Sequence, residues 1–124
     1  MTLVDSSGWI EFLADGPLAR RFAPALRDPE KVLVPTLVIY EVVKRVRTMV
    51  GEAGADSALA LLLTCRVAPL DVAVAVRAAD GARERGLHMA DAVIVATALE
   101  HGGVPVLTMD ALFKGIEGAT VIGS

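Results

Sequence analysis

The amino-acid sequence predicts an α/β fold, a parallel sheet covered by helices on both faces. Three observations lead there. Short apolar runs that end in turn residues alternate with stretches of helical period along the chain, and that alternation builds right-handed crossovers between parallel strands. Apolar residues make up 54% of the 124, above the usual share for a globular domain. A sheet buried on both faces absorbs such an excess, and so does a partner interface. Finally, Met89 to Glu100 is apolar on nearly every helical face, the composition of a helix enclosed by protein.

Taken in order, Thr2 to Asp5 is a short apolar strand ending in an acid, and Ser6 or Ser7 caps a helix running to about Leu13. Asp15, Gly16 and Pro17 turn the chain into a second helix. Lys31 to Pro35 is the next strand. From Thr36 to about Glu52, apolar positions 38, 39, 42, 43, 46, 49 and 50 trace one helix face. Gly51 and Gly54 break it, and another apolar helix spans about Ala55 to Cys65. Arg66 to Asp71 is a weak strand, because Pro69 suits an edge better than a centre. A helix follows to about Arg85 and Gly86, then the apolar helix to Glu100, ended by His101, Gly102 and Gly103. Val104 to Thr108 is a strand, Asp110 a turn, and Ala119 to Ile122 a last strand.

There is no repeat, low-complexity tract or linker, so residues 1–124 read as one domain. Lys and Arg number 12 against 15 Asp and Glu, for a net charge of −3. Bulk electrostatics therefore argue mildly against a nucleic-acid partner, unless some acids hold divalent cations whose charge must be counted too. The lone Cys65 has no internal partner and fits a reducing compartment. The opening residues lack a signal-peptide pattern, and no stretch approaches the roughly 20 apolar residues that span a bilayer. A cytoplasmic location is expected.

Four acids stand out. Asp5 closes the first strand, and reads either as a cap or as a functional carboxylate. Glu41 lies mid-helix with Lys44 and Arg45 three and four residues on. It is either half of a solvated Glu–Arg pair or a carboxylate facing a cleft, with the basic residues and Arg47 positioning phosphates. Asp91 is the only charge between Met89 and Leu99; the helix dipole favours a carboxylate in that first turn, but its burial needs compensation. Asp110 follows a strand end, where a turn residue is the plain alternative.

Parallel α/β sheets bind ligands beyond the carboxyl ends of their strands, where the strand order reverses, and Asp5 and Asp110 both follow strand ends. Two carboxylates about 5 Å apart repel by roughly 3 kcal/mol at an effective dielectric near 20. Four in one cleft raise one another's pKa values unless a cation joins them. Ligation by oxygen alone suits Mg²⁺ or Mn²⁺, whereas the two histidines, His88 and His101, are too few and too far apart for a zinc cluster. His88 is either a neighbour supporting Asp91 or an ordinary helix-end histidine.

The segment Leu87 to Gly102, LHMADAVIVATALEHG, resembles the central helix of PIN-domain proteins, and Val104 to Phe113, VPVLTMDALF, resembles the strand, acid and phenylalanine that follow it. Val4 to Leu13, VDSSGWIEFL, is similar to the family's opening strand and helix. Val38 to Val43, VIYEVV, is similar to the helix bearing its second acid. These pieces occur in family order over nearly the whole chain. The resemblance implies a three-layer α/β/α sandwich on a five-stranded parallel sheet, with the first and fourth strands adjacent. It implies cleavage of single-stranded RNA with Mg²⁺ or Mn²⁺ by Asp5, Glu41, Asp91 and Asp110 as catalytic and metal-binding acids. It further implies that Ser6 or Thr108 assists by hydrogen bonding, and the basic Lys44 and Arg45 beside Glu41 are expected to position the RNA. A PIN domain of this length is similar to the toxins of toxin–antitoxin pairs, which implies a cognate antitoxin and a homodimer.

Two rival classes are weaker. A phosphoreceiver domain needs an acidic pair after its first strand, and Asp5 is followed by Ser6; an Asp-x-Asp phosphatase fails because position 7 is Ser. A non-catalytic PIN scaffold used only for association would not need acids at all four places.

Overall fold

The computed structural model describes residues 1–123. Strand β1 (Thr2–Val4) leads into helices α1 (Ser6–Leu13) and α2 (Ala19–Leu26), and a 3₁₀ turn (Pro29–Lys31) opens β2 (Val32–Pro35). Helix α3 (Thr36–Leu62) follows, then β3 (Arg66–Ala68), α4 (Val72–Arg85), α5 (Met89–Glu100), β4 (Val106–Thr108), a second 3₁₀ turn (Ala111–Phe113) and β5 (Ala119–Val121).

All five strands are parallel, in the order β3-β2-β1-β4-β5. The chain steps outward from β1 through β2 to β3, then returns to the other side of β1. With right-handed crossovers, α1, α2 and α3 cover one face and α4 and α5 the other. The strand order reverses between β1 and β4, so the carboxyl ends of those two strands border the crevice where such sheets bind ligands. Helix α3 starts where β2 ends and α5 ends where β4 begins, which places the first turns of α3 and α5 at that same carboxyl edge.

Leu3, Val4, Val32, Leu33 and Val34 form the buried centre of the sheet, with Trp9, Phe22, Val38 and Val42 packed from the helices. In α5, every residue from Ala92 to Ala98 is buried, as its even distribution of apolar residues requires. A smaller cluster joins Val74 and Ala78 of α4 to Ala92, Val93 and Ala96.

Several boundaries differ from the sequence reading, each for a local reason. Helix α3 (Thr36–Leu62) is two helical stretches meeting at a kink, where Gly51, with φ 85° and ψ −172°, leaves the helical conformation as the sequence reading expects. Gly54 does not break the helix. Strand β4 starts at Val106, not Val104, because the Val104 amide donates to Ala98 O at the end of α5, and Pro105 has no amide to give. The cap of α1 is Asp5 itself, whose Oδ1 accepts from the Gly8 amide; neither Ser6 nor Ser7 fills that place. No described helix is long and apolar enough to cross a membrane.

Candidate functional site

The β1–β4 register pairs Val4 with Leu107, and the Asp5 amide continues the ladder by donating to Leu107 O at 3.2 Å. Asp5 therefore lies beside Thr108, a residue 103 positions away in sequence. The Thr108 hydroxyl donates to Asp5 Oδ2 at 2.6 Å and accepts the Asp110 amide at 2.9 Å. Ser7 makes the matching clamp: its hydroxyl donates to Asp5 Oδ1 at 2.6 Å and accepts the Met109 amide at 2.9 Å. With the Gly8 amide at 3.1 Å, three donors reach the Asp5 carboxylate. Two hydroxyls thus tie the loop after β4 to the loop after β1.

Asp5 is buried. Burial raises its pKa; the bonds from Ser7, Thr108 and Gly8 oppose that, and the charge of Asp110 adds to it. Glu41, in the second turn of α3, is half-buried and likewise raised by burial; the Ser6 hydroxyl opposes, Asp5 and Asp91 add, and Lys44 offsets slightly. Asp91, in the first turn of α5, is raised by burial, then by the charges of Asp110 and Asp5, against a lowering by His88. These influences link all four acids. Asp110 also caps the second 3₁₀ turn, its Oδ1 accepting from the Leu112 amide at 2.9 Å.

The ordinary alternative for Glu41 does not form. Among the described residues the ion pairs are Arg47–Glu52 at 2.8 Å and Arg77–Glu100 at 2.9 Å, so Glu41 and Arg45 are not paired. Arg47, expected beside the phosphates, turns instead to Glu52 across the Gly51 kink. Lys44 and Arg45 do flank Glu41: together with Ser6, Ser7, Tyr40, Thr48 and Met109 they line an open cleft of about 590 Å³ between α1 and α3. Sequence reasoning missed two contributors. The sequence offers Ser7 only as a cap, although a hydroxyl two residues past a strand-end acid is well placed to bond it. Tyr40 was passed over beside Glu41.

The donor set tests the fit to a divalent cation. Four carboxylates share one region, offset by Lys44 at Glu41 and by His88 at Asp91. Such a set suits a hard cation that takes oxygen ligands. Among the described residues no three His, Cys, Asp or Glu side chains form a ready-made cage. Mg²⁺ does not need one, because it keeps several waters and is held through one or two carboxylates and substrate phosphates. The residues fit.

No curated protein matches the chain. Solved structures do. A toxin–antitoxin complex from Klebsiella pneumoniae is 21% identical with a TM-score of 0.84, over 98% of this chain and 97% of that one. VapC20 of Mycobacterium tuberculosis, a toxin that cleaves the sarcin–ricin loop, is also 21% identical, with a TM-score of 0.78 over 99% and 100%. PAE2754 of Pyrobaculum aerophilum is 28% identical, with a TM-score of 0.67 over 97% and 89%. The family model of the PIN domain runs from residue 2 to residue 119 and takes in all four acids and the strand ends and helices that position them: the chain belongs to the PIN-domain family.

Proposed function

We propose that the chain is a Mg²⁺- or Mn²⁺-dependent endoribonuclease that hydrolyses phosphodiester bonds of single-stranded RNA. It acts as one domain over residues 1–124, as the toxin of a toxin–antitoxin pair in the cytoplasm. The observation that carries this reading is the electrostatic linkage of Asp5, Glu41, Asp91 and Asp110 at the strand-order reversal, with the cleft beside them carrying Lys44 and Arg45.

In this mechanism one or two of the four carboxylates would hold the ion directly and the others through its waters; when bound it would supply an activated water and neutralise charge on the phosphoryl group. Ser7 and Thr108 fix both oxygens of Asp5, so that carboxylate is oriented before substrate arrives. The Ser6 hydroxyl, near Glu41, opposes the effect of burial on its pKa. Glu41 or Asp91 is suited to orient the attacking water by hydrogen bonding. Lys44 and Arg45 hold flanking phosphates, and their positive charge answers the net acidity of the chain.

The partners follow from the apolar surface. Beside the cleft, Ile10, Leu13, Val46, Met49 and Val50 line a small groove of about 70 Å³ between α1 and α3, room for one apolar anchor of an amphipathic antitoxin helix. An Arg or Lys on that helix would reach the acids and displace the ion. A second apolar hollow of about 390 Å³ lies along α4 and α5, with Leu70 and Met89 exposed at its edge, and serves pairing of two copies. On the neighbouring helices Trp9 and Leu62 are core, while Leu61 and Leu63 are exposed.

The test is RNA cleavage by the purified chain with Mg²⁺ or Mn²⁺ and with EDTA, repeated with Asp5→Asn and Asp91→Asn. Cleavage is expected only with the ion, and each substitution should lower it by at least about 100-fold. Cleavage that survives EDTA, or is untouched by both substitutions, would sink the proposal.

A further inference from the structure

The chain has five aromatic side chains, one Trp, one Tyr and three Phe. Trp9, Phe22 and Phe113 are buried, and Phe12 packs against the core. Tyr40 alone is left out, 60% exposed. Its position is not a general surface one. It precedes Glu41 and lines the same cleft as Ser6, Ser7, Lys44 and Arg45. Tyr40, Lys44 and Thr48 follow one another at helical spacing along the α3 wall of that cleft. The Lys44 ammonium sits 5.5 Å from the Tyr40 ring centroid, a contact that orients the ring and polarises it.

We infer that Tyr40 is a stacking platform for a nucleobase of single-stranded RNA, beside the phosphate that Lys44 and Arg45 hold. This rests on the nuclease reading above and names how that site grips its substrate. A chain of net charge −3 draws little affinity for RNA from bulk charge. It needs a contact that salt does not screen, and base–aromatic stacking is one. Every base has a π-face, so the platform grips a strand without selecting its sequence. A duplex keeps its bases stacked inside, so the same ring also favours unpaired RNA.

Steady-state cleavage of a single-stranded oligoribonucleotide by the purified chain with Mg²⁺ tests this. Tyr40→Ala should raise KM about tenfold with kcat within about twofold, the pattern of a binding contact kept through the reaction. Tyr40→Phe keeps the π-face and should stay near the parent chain. A substrate made abasic at the stacked position should erase the difference between Tyr40→Ala and the parent. Because Tyr40 is the sole tyrosine, its ring proton resonances should also move upfield as the oligonucleotide is added in EDTA. Equal KM values for Tyr40→Ala and the parent, with both cleaving, would overturn the platform and leave the nuclease standing. The same holds if Tyr40→Ala weakens only the binding of a protein partner, which would assign the ring to that interface. A parent chain that cleaves nothing with either ion removes the nuclease reading itself, and the platform with it.

Discussion

Asp5 carries opposing demands in one side chain. It caps α1 and it is the buried member of the acid set, so the cap is present and the functional role we propose for the same carboxylate does not compete with it. Thr108 is the residue that reconciles them, fully buried and bonded on both sides. Replacing it with Val removes the donor to Asp5 Oδ2 and the acceptor for the Asp110 amide, at about 1–3 kcal/mol of stability. It also raises the Asp5 pKa further, since a bond to the charged form is lost. Urea unfolding and cleavage should therefore both suffer in Thr108→Val, and Thr108→Ser should recover both. Asp5→Asn makes a contrasting prediction. Asn caps a helix about as well as Asp, and it relieves both burial of charge and repulsion from Asp110. In EDTA its unfolding midpoint should match or exceed that of the parent while its cleavage is lost. A steep fall in stability would mean that Asp5 serves the fold alone.

At the scale of elements, the strands and helices were legible wherever one segment's own chemistry decided them. Pro69 marked β3 as an edge, Gly86 ended α4 in a left-handed conformation, and the unbroken apolar run of α5 announced its burial. The two glycines in α3 show where legibility stopped. Composition makes Gly51 and Gly54 equal breakers, yet only Gly51 adopts φ 85° and ψ −172°, a combination almost restricted to glycine. Gly51→Ala should cost about 1–3 kcal/mol in urea unfolding, whereas a helical position would gain from the same change. An unchanged midpoint would show that the kink is not held in solution. The acid site divides the same way. Asp91 was visible as a lone charge in an apolar helix, and Glu41 by its basic neighbours. The clamp of Ser7 and Thr108 on Asp5 was not visible, because it depends on a strand register between residues about a hundred positions apart. Local pattern carries no information on that pairing; the likeness to a known family did.

Across the whole molecule, the acids tie stability to pH and to metal in opposite senses. Asp5, Glu41 and Asp91 all have pKa values raised on folding. Between the unfolded values near 4 and the folded values above them, the folded chain binds more protons than the unfolded one. Stability from these groups is then complete below about pH 4 and falls as pH rises through the folded pKa values. A divalent cation reverses the trend. It needs the carboxylates ionised, competes with protons for them, and so binds more strongly as pH rises. Ion at 100 times its Kd adds about 2.7 kcal/mol to the folded state, a shift in melting temperature on the order of 10 °C for a chain of this size. The melting temperature in EDTA and in millimolar Mg²⁺ or Mn²⁺, measured from pH 5 to pH 8, should therefore diverge, with the ion's increment small at pH 5 and largest at pH 8. Asp5→Asn and Asp91→Asn should each shrink that increment, while a surface acid far from the site, such as Glu117, should leave it unchanged when made Gln. An increment of the same size at both ends of the range would mean that the ion acts elsewhere on the protein, and no increment with either ion would remove the four-acid metal site.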